Sequence, residues 1–206
     1  MKSRIVFIRH GITVGNERKL YYGATDVSLS DRGMDILKDL AAKGVYPDSD
    51  DAEYYTSGML RTEQTFKILY GDKPHTKIGN LRELNFGKFE MKTYNELDKD
   101  PEAHEWLWGN NNDYTPPGGE SVTSFSKRII KGYEELLQKH QLLMLKLRNQ
   151  QKEALSICVI HGGVISGVMS HIFPGERDNF FAWIPDPGHG YIVHMEDGKA
   201  VKAEEF

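Results

Sequence analysis

Two histidines in this sequence occupy matching contexts. His10 follows the apolar run 5–8 and Arg9, and precedes Gly11; His161 follows the apolar run 155–160 and precedes Gly162 and Gly163. A cationic side chain, an imidazole and a glycine that lets backbone approach a ligand together suggest an anion site. Arg9 and Arg61 carry fixed charges on forked donors suited to phosphate. Beside such cations an imidazolium is disfavoured, so His10 is expected to stay neutral, and a neutral imidazole is a nucleophile. Glu83 lies among leucines and aromatics in residues 81–89. Partial desolvation there would raise its pKa and suit a general acid. Attack of His10 on phosphorus would give a phosphohistidine. Arg9, Arg61 and His161 would hold the equatorial oxygens, while Glu83 would protonate the leaving alkoxide and then deprotonate water. The glycines at 162 and 163 would let backbone amides at a helix start approach an oxyanion.

Each residue also has a plainer reading. Arg61 can be a solvated cation, Glu83 a loop carboxylate and His161 a core histidine. Thr13 and Asn16, close to His10 in the chain, are side chains that often serve turns. What favours chemistry is the placement of the elements. Residues 5–8 and 155–160 are apolar without helical period and read as short, fully buried strands. In open α/β sheets, ligands sit beyond the carboxyl ends of such strands, where both histidines stand. Residues 52–56 read as another strand, which ends at Ser57 before a helix over 60–69. Arg61 in the first turn of that helix opposes the macrodipole, a conflict that an anionic ligand would remove.

The remaining elements frame this set. Ser30 caps a helix over 34–42, Ser121 caps the longest helix, which could run to residue 153, and residues 164–172 form a helix after His161. Residues 76–78 suggest an edge strand, 93–97 a short helix, and 176–182 a further helical turn. The last strand expected is 191–195, closed by the hairpin signal Asp197-Gly198. Residues 100–120 read as an irregular excursion that covers or borders the site, with Trp106 and Trp108 as packing anchors or substrate contacts. His189 lies near a turn that could line the cleft.

Composition narrows the classes. The chain has 206 residues, 39% of them hydrophobic, which suits one domain with a packed core. A net charge of -4 argues against general attraction to nucleic acid or a membrane surface. No signal peptide and no apolar run long enough for a membrane span is seen, so a cytoplasmic protein is the default. The single Cys158 lies in an apolar run and reads as a core residue. No zinc or magnesium spacing, no Gly-x-Ser-x-Gly elbow and no Walker loop occurs, so neither metal nor cofactor is expected.

The segment Arg9-His10-Gly11-Ile12-Thr13-Val14-Gly15-Asn16 resembles the Arg-His-Gly-x-Thr-x-x-Asn signature of the histidine phosphatase superfamily, the phosphoglycerate-mutase-like fold. The resemblance continues, in the family's order, through residues 57–62 and Thr65, Glu83 before Phe86-Gly87, Gly118-Gly119-Glu120-Ser121, and His161-Gly162-Gly163. It implies a three-layer α/β/α sandwich with a mostly parallel sheet and helices on both faces. It also implies His10 as the phosphorylated nucleophile, Glu83 as proton donor, and Arg9, Arg61 and His161 as the phosphate pocket. Asn16 and Ser57 would support that pocket, Gly162 would offer a backbone amide, and Thr13 belongs to the signature.

Within the family, Pro117-Gly118-Gly119-Glu120-Ser121 and the compact length resemble the phosphatase branch. Cofactor-dependent mutases resemble Glu-Arg-His-Tyr-Gly around the acid, where this chain has Glu83-Leu84-Asn85-Phe86-Gly87. They also carry paired arginines in the covering insertion, and residues 100–120 contain no Arg. Two positions depart from the branch: Glu90 is followed by Met91 instead of Gly, and Ser166 stands where an Arg is common. The resulting expectation is a monomeric or homodimeric phosphomonoester hydrolase acting on a small phosphorylated metabolite. A mutase and a non-catalytic phospho-ligand binder are the alternatives.

Overall fold

A computed structural model describes residues 2–109 and 111–206, the side chains of residues 107 and 108 excepted. The chain runs β1 (Lys2–Arg9), α1 (Val14–Glu17), β2 (Leu20–Tyr21), α2 (Asp31–Ala42), β3 (Glu53–Thr56), α3 (Leu60–Tyr70) and β4 (Thr76–Lys77). It continues with β5 (Lys92–Thr93), α4 (Tyr94–Leu97), α5 (Pro101–Trp108), α6 (Val122–Leu147), β6 (Ala154–Ile160), α7 (Gly162–Ile172), β7 (Gly190–Glu196) and β8 (Lys199–Glu205).

Six strands form one sheet in the order β4-β3-β6-β1-β7-β8. The first four are mutually parallel; β7 and β8 complete the sheet as an antiparallel hairpin. On β1, Ile5 and Phe7 join a core with Ile129, Tyr133, Val164 and Ile165 of α6 and α7. Val6 and Ile8 point the other way, into a core with Phe66 and Tyr70 of α3. Alternate side chains of one strand thus enter two different cores. This is why its apolar run is unbroken and why helices must cover both faces. The expected α/β sandwich with a mostly parallel sheet is the observed fold. Cys158 is fully buried within the first core.

Several boundaries differ from the sequence expectation. Residues 100–120 are not wholly irregular, because α5 occupies their first part. Asp100 accepts N–H bonds from Glu102 and Ala103, and Pro101 takes the first helical position, where a missing N–H costs nothing. The longest helix ends at Leu147 instead of near residue 153, and a 3-10 turn follows. In place of a helical stretch over 176–182, a short 3-10 turn spans Phe180–Trp183. The edge strand β8 was not expected. Its sequence, Lys-Ala-Val-Lys-Ala-Glu-Glu, is rich in charge and has no long apolar run, as suits a strand whose outer edge faces water. The small β2/β5 pair also escaped the pattern, being two residues long on each side. Among the described residues, no helix is long and apolar enough to cross a membrane.

Candidate active site

The parallel register sets Arg9 beside Ile160, so β1 and β6 end level and deliver His10 and His161 to the same sheet edge. The rings lie with centroids 5.3 Å apart, edge to face. Neighbouring β3 ends there too, placing Ser57 and the start of α3. The N-terminus of α7 follows His161 directly, and Glu83 reaches it from the loop after Leu81. Its carboxylate accepts the backbone N–H of Gly163 at 3.0 Å and that of Leu84 at 2.9 Å. A Cβ on Gly163 would lie 2.6 Å from Glu83 Oε1, so a larger residue there would push the carboxylate from this position.

Hydrogen bonding fixes both imidazole tautomers. His10 Nδ1 lies 2.8 Å from the Gly11 carbonyl, an obligate acceptor, so Nδ1 carries the proton and Nε2 keeps its lone pair. No group among the described residues hydrogen-bonds Nε2, and His10 lines a cavity of about 600 Å³. Burial holds the His10 pKa well below the usual 6.5, and the charges of Arg61 and Arg9 act in the same direction against the opposing Gly11 bond. His161 Nδ1 accepts from Arg61 Nε at 3.2 Å, so its Nε2 must be the protonated nitrogen and donates to Ser57 Oγ at 2.8 Å. Burial first, then Arg61 and His10, keep this ring neutral as well.

Arg61 is fully buried. It does not lie along its helix end, as a cation opposing the macrodipole would. Its guanidinium crosses to the Gly23 carbonyl at 2.7 Å and the Thr25 carbonyl at 3.1 Å, over the Tyr22 ring. The helix start itself is served by Asp26, which accepts the Leu60 N–H. Arg9 donates from one terminal nitrogen to the Pro185 carbonyl at 2.7 Å, while its buried Nε has no partner among the described residues. Burial lowers both guanidinium pKa values against the opposing pull of Glu83 and Tyr22. Two arginines share a pocket with the neutral His10, the neutral His161 lies behind them, and Arg9 retains an N–H that no described residue satisfies. Such a pocket has the donors for a tetrahedral oxyanion.

The family model for the histidine phosphatase superfamily (branch 1) matches residues 5–204. The chain belongs to the histidine phosphatase superfamily. A 2,3-bisphosphoglycerate-dependent phosphoglycerate mutase of Parvibaculum lavamentivorans is 26% identical, with 100% of this chain and 97% of that protein covered. A phosphoglycerate mutase structure from Thermus thermophilus superposes with a TM-score of 0.64 at 25% identity, covering 98% of each chain. A structure from Escherichia coli, of a protein provisionally assigned as an alpha-ribazole-5'-P phosphatase, has a TM-score of 0.74 at 22% identity, covering 99% of this chain and 95% of that one.

Not every residue expected at this histidine phosphatase site faces the cavity. Arg9, His10, Asn16, Arg61, Glu83 and Gly162 line it. Thr13, Ser57 and His161 are buried behind that lining. Thr13 caps α1, sharing a capping box with Asn16, and its hydroxyl meets that of Tyr22. Ser57 joins His161 to Thr62. His189 stands outside the lining, its Nδ1 donating to the Phe206 carbonyl. Trp106 borders the cavity and stacks on Phe89. The expectation for Trp108 lies outside the described side chains. Among the described residues, no group of three or more His, Cys, Asp or Glu side chains could hold a metal ion.

Three contributors escaped the sequence reading. Tyr22 lies under Arg61 and lines the cavity. Glu90 accepts backbone N–H bonds from Gly23, Ala24, Thr25 and Phe86, tying the loop that holds Arg61 to the segment that carries Glu83. Arg128 forms a forked ion pair with Glu120, at 2.9 and 2.7 Å, and donates to the carbonyls of Asn80, Arg82 and Glu83. This explains the Glu120 of the Gly-Gly-Glu-Ser segment. The only sequence signal for any of them was Glu120 and Glu90 standing in motifs without an assigned task.

Proposed function

We propose that the chain is a phosphomonoester hydrolase that works through a phosphohistidine on a small phosphorylated metabolite. The observation that carries this reading is His10, whose Nδ1 proton is committed to Gly11 while its Nε2 is free between Arg9 and Arg61. The Nε2 lone pair attacks phosphorus as the P–O bond to the leaving group breaks. Arg9 and Arg61 hold the charge that spreads over the phosphoryl oxygens. Protonated Glu83 gives its proton to the leaving alkoxide. As a carboxylate it then takes a proton from water, which attacks phosphorus while the P–N bond breaks. Inorganic phosphate leaves and His10 is restored as a neutral ring. His161 acts through Arg61 and Ser57, holding the guanidinium from behind.

The names of the relatives favour a second reading, a cofactor-dependent phosphoglycerate mutase. Such an enzyme must grip a second anionic group and return the phosphoryl to another hydroxyl. Among the described residues, the arginines lining the cavity are the same two that stand beside His10. This favours hydrolysis. The purified protein should release phosphate from p-nitrophenyl phosphate in the presence of a chelator, and His10→Ala should lower the rate by about a thousandfold or more. A wild-type protein trapped in acid after brief exposure to labelled substrate should carry phosphate on His10. Full activity in His10→Ala would refute the mechanism. Interconversion of phosphoglycerates, primed by a bisphosphorylated cofactor and faster than phosphate release, would establish the mutase instead.

A further inference from the structure

We propose that the outer part of this cavity is a subsite for an uncharged, apolar leaving group, so that the substrates are phosphomonoesters of small hydrophobic alcohols or phenols. The inference rests on the hydrolase reading and adds the chemistry of the group that departs. The cavity has two unlike halves. Its floor is charged, with Arg9, Arg61, Glu83 and His10 around the place of attack. Its walls are mostly aromatic and aliphatic, with Asn16 and Ser126 as polar members. Tyr21, Phe86 and Trp106 form one group of touching rings, and Phe180 and Phe181 another, with Ile184 also in the lining. Beyond the floor, no lysine, arginine or histidine lines it among the described residues. A leaving group with a carboxylate or a second phosphate would lose its water there without meeting a cation. An apolar leaving group would gain by covering those walls.

The second set of rings is held open to such a group. The buried Ser166 hydroxyl donates to the Phe180 carbonyl, and Arg177 lies over the Trp183 ring, 4.1 Å from its centroid, while donating to the Ala182 carbonyl. The segment is anchored by its backbone and by Trp183. Even so, Phe180 stays 40% exposed and Phe181 75% exposed, with their rings edge to face at 5.7 Å. Two adjacent phenyl groups left in water at the mouth of a reactive cavity form a binding rim. The first set of rings is equally organised: Trp106 stacks on Phe89 and meets Phe86 edge to face.

The test uses ethyl, butyl and hexyl phosphate, whose leaving alcohols have nearly equal acidity, so chain length reports contact alone. With the wild-type protein, kcat/KM should rise roughly two- to fourfold per added methylene, and 3-phosphoglycerate should fall below hexyl phosphate by at least about tenfold. Phe181→Ala and Trp106→Ala should each flatten the chain-length slope. Phe181 is largely exposed, so its truncation keeps the fold if Trp106→Ala does not. A flat series with measurable phosphate release overturns the subsite and leaves the hydrolase reading standing. Absence of release from every ester overturns the hydrolase reading itself. A phosphopeptide cleaved faster than hexyl phosphate, or 3-phosphoglycerate matching it, overturns the assignment to small apolar esters.

Discussion

Away from the active site, His140 provides a quantitative test of how burial governs the imidazoles of this protein. It is fully buried on α6, with Nε2 and Nδ1 each 2.9 Å from the hydroxyls of Ser3 and Ser156. Ser3 in turn donates to the sulfur of Met144. The Ser3 oxygen therefore accepts from His140 Nε2, and Nδ1 accepts from Ser156, so the neutral ring satisfies every partner. Burial lowers the His140 pKa to about 4 from an ordinary 6.5. Between those values the unfolded chain binds more protons than the folded one. Stability is thus fully present above about pH 6.5 and is lost as pH falls toward 4. The His140 contribution to that loss, worked from the two values, is about 2 kcal/mol between about pH 7.5 and pH 5. His10 and His161 act in the same direction, so the wild-type slope is steeper than one histidine gives. The His140→Gln variant isolates the effect. Near pH 7.5 it should be less stable by about 1–3 kcal/mol, because one serine hydroxyl loses its partner. Near pH 5 that deficit should shrink by about 2 kcal/mol. Urea unfolding at the two pH values measures both quantities. Parallel pH profiles for variant and wild type would refute the reasoning, because they would mean that His140 takes up no proton on unfolding.

Two further substitutions test the loops around the site. Glu90 stays below the usual carboxylate range although burial pushes it up, because the Thr25, Phe86, Gly23 and Ala24 groups donate to it. Glu90→Gln turns one acceptor oxygen into a donor facing those N–H groups. It should cost about 2 kcal/mol in urea unfolding and lower kcat/KM roughly tenfold as the Arg61 carbonyl clamp loosens; unchanged values for both would remove Glu90 from the positioning network. Met91 holds a left-handed backbone at φ 63°. Met91→Gly relieves about 1–2 kcal/mol of strain and adds about 0.4–1 kcal/mol of unfolded-chain entropy. The melting temperature should hold or rise, and a loss of more than about 1 kcal/mol would contradict the strain.

The legible part of this molecule was the part encoded locally. An unbroken apolar run ending in Arg9-His10-Gly11, and its echo ending in His161, announced buried parallel strands whose ends share an edge. The N-caps Ser30 and Ser121 marked their helices directly. What stayed hidden is what depends on chain segments far apart. Glu90 looks like any loop carboxylate until residues 23–25 fold across it, and Gly23 looks like loop punctuation until a Cβ there is seen to fall 1.6 Å from the Leu84 carbonyl. The departure at Met91 was visible, but its meaning was conformational. The backbone there takes the left-handed region that glycine enters freely, and this chain enters it with a side chain. The cap Asp100-Pro101 was also readable, yet the surrounding Asn, Gly and Pro residues outweighed it.

The electrostatics of the site follow from one arrangement. Burial disfavours the charges on Arg9 and Arg61, and protein oxygens answer only part of that cost: Arg61 is held by two carbonyls and an imidazole, whereas Arg9 keeps one N–H without a partner among the described residues. A phosphoryl group entering the pocket would supply the missing negative charge and acceptors. Burial and the same two cations make a proton on His10 unfavourable, since it would be a third positive charge in a buried nest. A serine or threonine in this position would require a base to become nucleophilic; a neutral imidazole already presents its lone pair. The guanidinium groups would therefore serve twice, gathering the phosphoryl oxygens and keeping the attacking nitrogen unprotonated. Removing one would weaken both functions together, which ties substrate affinity and nucleophile availability to the same buried charges.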